Sequence, residues 1–346
     1  MPGVPYKQSL CGVQPSYACI PRPLRILYKG MQTKPLGRSG PQVAPLMLGG
    51  NVFGWNIDAA QSFAILDAFT DAGFNFIDTA DVYSRWKPGN SGGESESILG
   101  QWFARSGKRH QVVLATKVGM DMGDGKKGLA RNYILRAVED SLRRLQTDYI
   151  DLYQSHKDDE STPIEETLAA YQLLVQQGKV RIIGASNYSG PRLRESIEIA
   201  RRENLPVYQT LQPEYNLYDR ADFETNLQPV AKEFSLGVIP YFSLASGFLT
   251  GKYKSAADAK GATRETGVSK YFDPRGLRIL KALDEVAAET GAAQATIALA
   301  WLLAQPTILA PIASATSTKQ LDALIAAPSL TLNKTSLDKL TQASAY

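Results

Sequence analysis

From Met31 onward, short apolar runs alternate with longer segments in which apolar positions recur every three or four residues, the first pattern reading as strand and the second as helix. Leu46–Gly50 predicts a strand, and Asp58–Ala72 a helix with Gly73 just past its end, where a helix exits through positive φ. A strand over Asn75–Asp78 comes next. A helix near Glu94–Arg105 then leads to a strand over Gln111–Lys117, and a helix over Ala130–Leu145 to a strand over Tyr149–Ser155. Pro163 at the first turn and Gly178 at the exit bracket a helix over Ile164–Gln177.

The second half repeats the alternation: strand Val180–Ala185, helix Pro191–Arg202, strand Val207–Leu211, helix Phe223–Phe234 and strand Gly237–Tyr241. A long polar loop follows. Helices over Leu277–Glu289 and Ala293–Ala304, a strand over Thr307–Ile312 and a helix opening at Thr318–Ala326 complete the set. Strands separated by helices call for parallel strands with crossovers, and eight of them close into a (β/α)8 TIM barrel, an α/β fold with long loops at the carboxyl-end face. A doubly wound open sheet is the structural alternative. The lack of Gly-x-Gly-x-x-Gly after the first strand argues against that sheet as a dinucleotide site.

The chain has 346 residues, 44% hydrophobic and 21% charged, which fits one barrel domain over 31–346 even though the length alone suggests two domains. A net charge of +4 without a long basic run gives no reason to expect nucleic acid and leaves room for an anionic cofactor. No apolar stretch approaches the roughly 20 residues of a spanning helix, so the chain reads as soluble, cytoplasmic and free of membrane. Both cysteines, Cys11 and Cys19, precede residue 31, which excludes a disulfide framework or a cysteine metal site in the main domain. Residues 1–30 lack a signal-peptide core and read as a disordered extension.

Chemistry enters at the strand ends. Asp78, Lys117 and His156 each close an apolar run, at successive intervals of about 39 residues, in line with one strand, one helix and two loops when roughly 250 residues make eight such units. Tyr83 lies just beyond the first. A carbonyl that accepts hydride needs a proton, and Tyr83 can give it if Lys117 lowers the phenol's pKa. Asp78 would hold Lys117 charged, and His156 would orient the carbonyl oxygen by a hydrogen bond. Each residue has a plainer role when taken alone: helix cap, packing aromatic, solvated loop lysine. At matching strand ends the four together outweigh those roles. A hydrolase built on Asp78 and Asp81 would leave Tyr83 and Lys117 unused.

The chain resembles the aldo-keto reductase superfamily from about Met31 to Ala326. The resemblance rests on Gly73-Phe-Asn-Phe-Ile-Asp-Thr-Ala-Asp-Val-Tyr83, Thr116-Lys117, Gln154-Ser155-His156, Gly184-Ala-Ser-Asn187, Gln212-Pro-Glu-Tyr-Asn216 and Tyr241-Phe-Ser-Leu-Ala-Ser-Gly-Phe-Leu-Thr-Gly251. Within it the chain is most similar to bacterial reductases and the related potassium-channel β subunits. The resemblance implies an extended nicotinamide cofactor, NADPH with NADH as the alternative, across the carboxyl-end face. It implies Ser186, Asn187 and Gln209 on the carboxamide, Tyr215 stacked on the nicotinamide ring, and Ser243, Leu244 and Gly247 at the pyrophosphate. Ser314, Thr316 and Gln320 match the adenosine end, where Lys319 is the one cation.

Phe53, Trp55 and Trp86 are expected to rim the substrate pocket, and the Ser84–Glu94 insertion to form a lid or contact loop. The reading is therefore an NADPH-dependent reductase of small carbonyl compounds, aldehydes or ketones, with Tyr83 as general acid. A cofactor-sensing regulatory subunit with little turnover is the alternative. Nothing in the pattern fixes an oligomeric state.

Overall fold

The computed structural model describes residues 32–38, 40–261 and 264–346; the expectation for residues 1–30 lies outside them. A small hairpin, β1 (Lys34–Pro35) against β2 (Gln42–Val43), comes first. Eight parallel strands follow: β3 (Met47–Gly49), β4 (Phe76–Asp78), β5 (Val113–Val118), β6 (Ile150–Ser155), β7 (Val180–Ser186), β8 (Thr210–Gln212), β9 (Gly237–Val238) and β10 (Ile312–Ala313). They form one sheet in the order β10-β3-β4-β5-β6-β7-β8-β9. Its outer members meet through a parallel bridge between Val238 and Ile308, with Val238 N–H donating to Thr307 O and Leu309 N–H to Val238 O. The sheet thus curls back on itself as a (β/α)8 barrel.

Helices α1 (Ala59–Asp71), α2 (Glu94–Ser106), α3 (Arg131–Leu145), α4 (Ile164–Gln176), α5 (Gly190–Arg202) and α6 (Gln228–Phe234) cross over between consecutive strands. After β9 come α7 (Glu265–Ser269), α8 (Pro274–Thr290) and α9 (Gln294–Leu303), and after β10 come α10 (Thr318–Ile325) and α11 (Lys334–Ala343). Two local devices show why the helices start where they do. Asp58 accepts from Gln61 N–H while Gln61 returns a bond to Asp58 N–H, a reciprocal cap on α1. Asp273 caps α8 through Gly276 N–H, with Pro274 at the first helical position. No single helix among the described residues is long and apolar enough to cross a membrane.

Side chains divide by strand alternation into two cores. Met47, Phe76, Val113, Ala115, Leu152, Ile182 and Ile312 fill the barrel interior, and Leu36 and Val43 of the hairpin close its amino end. Trp102, Phe69, Tyr153 and Trp301 belong to the larger outer core between strands and helices. Each fully buried residue of this size contributes about 1.5–3 kcal/mol of hydrophobic stabilisation. Helix α2 packs closely on α3, where a Cβ on Gly100 would lie 2.0 Å from Arg144 O. Gly100→Ala is therefore expected to lower stability by about 1–3 kcal/mol through forced separation of the two backbones, measured by urea denaturation.

The strand and helix pattern agrees with the sequence reading in its main lines, with offsets at β8, read over Val207–Leu211, and at β10, read over Thr307–Ile312. The hairpin and α11 were not foreseen. The polar stretch after β9 contains α7 and two short 3-10 turns, Ala245–Thr250 and Ala256–Ala259.

Candidate active site

Period-two alternation carries polar groups to the barrel mouth. Phe76, Ala115 and Leu152 face the interior, and two residues further on the same strands are Asp78, Lys117 and Gln154, all buried. Asp78 is 1% and Lys117 0% exposed. The Lys117 ammonium lies 2.6 and 2.8 Å from the two Asp78 oxygens, 2.9 Å from Thr79 O and 2.7 Å from Tyr83 Oη. Tyr83 Oη in turn donates to Asp78 Oδ2 at 2.9 Å.

The turn after β4 returns Tyr83 to this point: Tyr83 N–H donates to Ala80 O, and Ser84, at φ +73°, donates its hydroxyl to Phe53 O. His156 follows β6, with its N–H on Val118 O and its ring 5.9 Å from that of Tyr83, edge to face. Asp78, Tyr83, Lys117 and His156 thus share one small volume.

Burial, then the Asp78 charge, hold the Tyr83 phenol well above its usual range. This corrects the expectation that Lys117 lowers it: removal from water and a carboxylate within hydrogen-bond reach outweigh one ammonium. The phenol therefore carries its proton at neutral pH. Burial lowers Lys117, with Asp78 opposing. Burial and then the Lys117 charge push His156 well below its usual range, so the ring is neutral at physiological pH. Its Nδ1 is enclosed and makes no hydrogen bond among the described residues; a proton on Nε2 can be donated to a ligand.

Ser186 and Asn187 sit at the end of β7 beside this group. The Ser186 hydroxyl donates to Gln212 O, and the Asn187 amide donates to His156 O. Gln209 is not with them. It precedes β8 at the amino end of the barrel, where its Oε1 accepts from Arg38 N–H of the hairpin loop. Gln212, at the carboxyl end of the same strand, takes the position instead, its Nε2 3.2 Å from Asp78 Oδ1.

Tyr215 needs a similar correction. It is 0% exposed, packed between Phe223 and Trp301 with its hydroxyl on Glu224, and has no open ring face. The aromatic at the mouth is Tyr241, half-buried on top of the interior core, its hydroxyl 2.8 Å from Asn187 Oδ1. Phe53 is likewise buried at 0%, because the 3-10 turn Gly50–Val52 swings it inward. Trp55 and Trp86 are in edge contact at 5.4 Å, and Trp86 also lies against Tyr83 at 6.0 Å. The insertion bearing Trp86 is pinned to the loop after β3, through Asn90 and Lys87 on Gly54 O.

Ser243, Leu244 and Gly247 lie in a turn in which Phe242, Ala245, Ser246 and Gly247 all take positive φ. Successive residues of this kind turn backbone N–H groups toward one concavity, which suits an anion. Among the described residues, the N–H groups of Ser243 and Leu244 take no protein acceptor. Lys252 reaches over the turn, its Nζ 3.4 Å from the Cβ position of Gly247, and the Arg264 guanidinium lies 5.5 Å over Trp55. Neither cation was singled out from sequence; they are two of the five between residues 252 and 270, Lys252, Lys254, Lys260, Arg264 and Lys270, in a stretch read as a polar loop.

Ser314 Oγ donates to Asn51 Oδ1, so Ser314 faces the loop after β3, and Gly49 is fixed by it, since a Cβ there would lie 2.5 Å from Ser314 Oγ. Thr316 is tied to Gln320, whose Oε1 accepts from its N–H and its hydroxyl. These residues run in an arc from the tetrad past Tyr241 and the positive-φ turn to β10. An elongated ligand with an aromatic head and a phosphate midsection fits that donor set.

The sequence model of the aldo/keto reductase family matches residues 45–345. An uncharacterized oxidoreductase of Bacillus subtilis is 39% identical over 86% of this chain and 91% of its own length. A probable voltage-gated potassium channel subunit beta of Oryza sativa is 35% identical over 84% and 89%, and an L-glyceraldehyde 3-phosphate reductase of Escherichia coli 32% identical over 85% and 87%.

Proposed function

The chain belongs to the aldo/keto reductase family and is an oxidoreductase, and from that premise we propose that it reduces aldehydes or ketones to alcohols with NADPH as hydride donor and Tyr83 as general acid. The observation that carries this reading is the Lys117 ammonium held between the Asp78 carboxylate at 2.6 Å and the Tyr83 phenol at 2.7 Å, in a buried site at the barrel mouth. The hydride is the contribution of the reduced nicotinamide. Everything else falls to the protein.

A carbonyl oxygen entering between Tyr83 and His156 receives hydrogen bonds from the phenol and from the neutral imidazole. As negative charge grows on that oxygen, the Tyr83 proton moves onto it. The phenolate left behind is stabilised by Lys117, which already points at Oη, and Asp78 keeps that ammonium aimed and charged. Ser186, Asn187 and Gln212 would hold the carboxamide, and Tyr241 would offer the ring face. Ser243, Leu244 and Gly247, with Lys252 and Arg264, would meet the pyrophosphate, and Ser314, Thr316 and Gln320 the adenosine end. Both cofactors carry that pyrophosphate, so the preference for NADPH would come from the adenosine end, where Lys319 is the cation available to a 2′-phosphate. Trp55, Trp86 and the exposed Phe242 favour substrates with an apolar or aromatic body.

The test is oxidation of NADPH, with NADH in parallel, against aromatic, aliphatic and sugar aldehydes and a triose phosphate. Turnover on the carbonyl panel supports the reductase. Tight NADPH binding with no turnover on any member overturns it in favour of a cofactor-sensing subunit. Tyr241→Ala is expected to weaken NADPH binding by up to about tenfold, the equivalent of one lost stacking contact, followed by titration of NADPH fluorescence.

A further inference from the structure

Asp81 lies in the turn between Asp78 and Tyr83 and has no part in the chemistry described so far. It is 2% exposed, and neither of its carboxyl oxygens has a hydrogen-bond partner among the described residues. A buried carboxylate without a donor is a costly arrangement. The pocket around it deepens the difficulty, because it already holds an ionic pair. Glu96 on α2 is fully buried, accepting from Thr116 Oγ1 at 2.6 Å and from Arg144 Nε of α3 at 2.7 Å. Lys117 on β5 is committed to Asp78, Thr79 O and Tyr83.

Tyr83 on the same turn, Tyr133 on α3, Tyr153 on β6 and Tyr171 on α4 also feel Asp81's charge, and among the described residues the Tyr153 hydroxyl is buried without a partner. Among the described residues, the two cations whose charge reaches Asp81, Arg144 and Lys117, are thus each occupied by another carboxylate.

We propose that Asp81 is a positioning residue that works as the neutral acid, seating the Tyr83 turn on the polar pocket between α2 and α3, and that its ionisation unseats Tyr83 in mild alkali. The inference rests on Tyr83 being the proton donor. The turn is short: Asp81 N–H is on Lys117 O and Tyr83 N–H on Ala80 O. A carboxylate driven toward water from this pocket therefore carries Tyr83 away from Lys117. Burial first, and Glu96 second, push the Asp81 carboxyl up to about 8 from 3.8, against the pull of Arg144 and Lys117. The folded protein accordingly holds a proton through this window that the unfolded chain releases. Stability contributed by the neutral acid is full below the lower value, falls as pH rises toward the higher one, and is level above it.

Three measurements on the purified full chain test the idea, using Asp81→Asn and Asp81→Ala. The thermal midpoint of Asp81→Asn should gain on that of the wild type steadily from mild acid to mild alkali, because Asn has nothing to ionise. Trp86 touches Tyr83, so the wild-type tryptophan emission should show a step in mild alkali that Asp81→Asn lacks. In turnover, Asp81→Ala should lower kcat by about tenfold with KM within about twofold, as expected of a misplaced acid, whereas Asp81→Asn should lose less and should keep its kcat further into alkali. Parallel melting profiles, an emission step unchanged in Asp81→Asn, or an Asn variant that does not fold would each overturn the proposal. The first two readouts need no substrate, so absence of turnover in the wild type would sink the reductase reading and still leave Asp81 decided.

Discussion

Tyr83→Phe is expected to cut carbonyl reduction by about 10²–10⁴-fold, the usual contribution of a positioned acid, with NADPH affinity changed by less than about twofold. The substitution removes one oxygen. That oxygen receives the Lys117 ammonium and supplies a hydrogen bond to Asp78 Oδ2, yet Asp78 keeps Lys117 and Gln212 when it is lost, so the buried charge stays compensated. The phenyl ring can still pack against His156 and Trp86. The loss should therefore appear in kcat, as expected for an interaction that matters most in the transition state. Single-turnover kinetics with equilibrium NADPH titration separates the two quantities. Wild-type turnover in Tyr83→Phe would overturn the assignment of the acid.

Lys117→Met should be as damaging to turnover and, unlike Tyr83→Phe, damaging to the fold. Met matches the length of the lysine stem but leaves Asp78, 1% exposed, with the Tyr83 hydroxyl and the Gln212 amide as its side-chain donors among the described residues. Removing one partner of a buried ion pair costs about 3–5 kcal/mol, most of it the penalty of the charge left behind. Adding Asp78→Asn to Lys117→Met should then restore part of the stability while leaving the enzyme inactive. A urea-denaturation cycle over the two singles and the double measures this coupling. A double variant less stable than Lys117→Met would show that the pair's value lies elsewhere than in charge compensation.

The main lines of the fold were legible because several barrel strands end in a sharp change of character. Ile77-Asp78 and Thr116-Lys117 pass from apolar core to ionisable group within a residue or two, and that break marks both the strand end and the site. Where the break is soft, the reading slipped. The run Val207–Leu211 reads as the strand, but the ladder covers Thr210–Gln212; the amide that the resemblance put at Gln209 stands at Gln212, at the other end of that strand. Tyr215 and Tyr241 both follow a strand closely. What separates them is Trp301 on α9 and Phe223 before α6, which close around Tyr215 and are distant from it in sequence or in kind.

Phe53 was misplaced for the same reason, since a tight turn can point an aromatic inward or outward and only its packing decides. The hairpin escaped notice because two-residue strands leave no alternation to see. Helix α11 escaped because its buried stripe is thin, Ser336 and Leu340 alone being enclosed, and its end is held by Arg220, which donates to Thr341 O and the Ser344 hydroxyl from far away in the chain.

The barrel is not equally stitched around its circumference. β5, β6 and β7 share long ladders, whereas β9 and β10 are joined through the segment at Thr307–Leu309, with Val238 and Ile308 as the bridge. Lys117, His156 and Ser186 stand on the well-stitched side, and Tyr241, the Ser243–Gly247 turn and Ser314 stand around the seam. Under the proposed function, a coenzyme leaving after each cycle would part from residues around this seam, whereas Lys117, His156 and Ser186 are carried by the strands with the longer ladders.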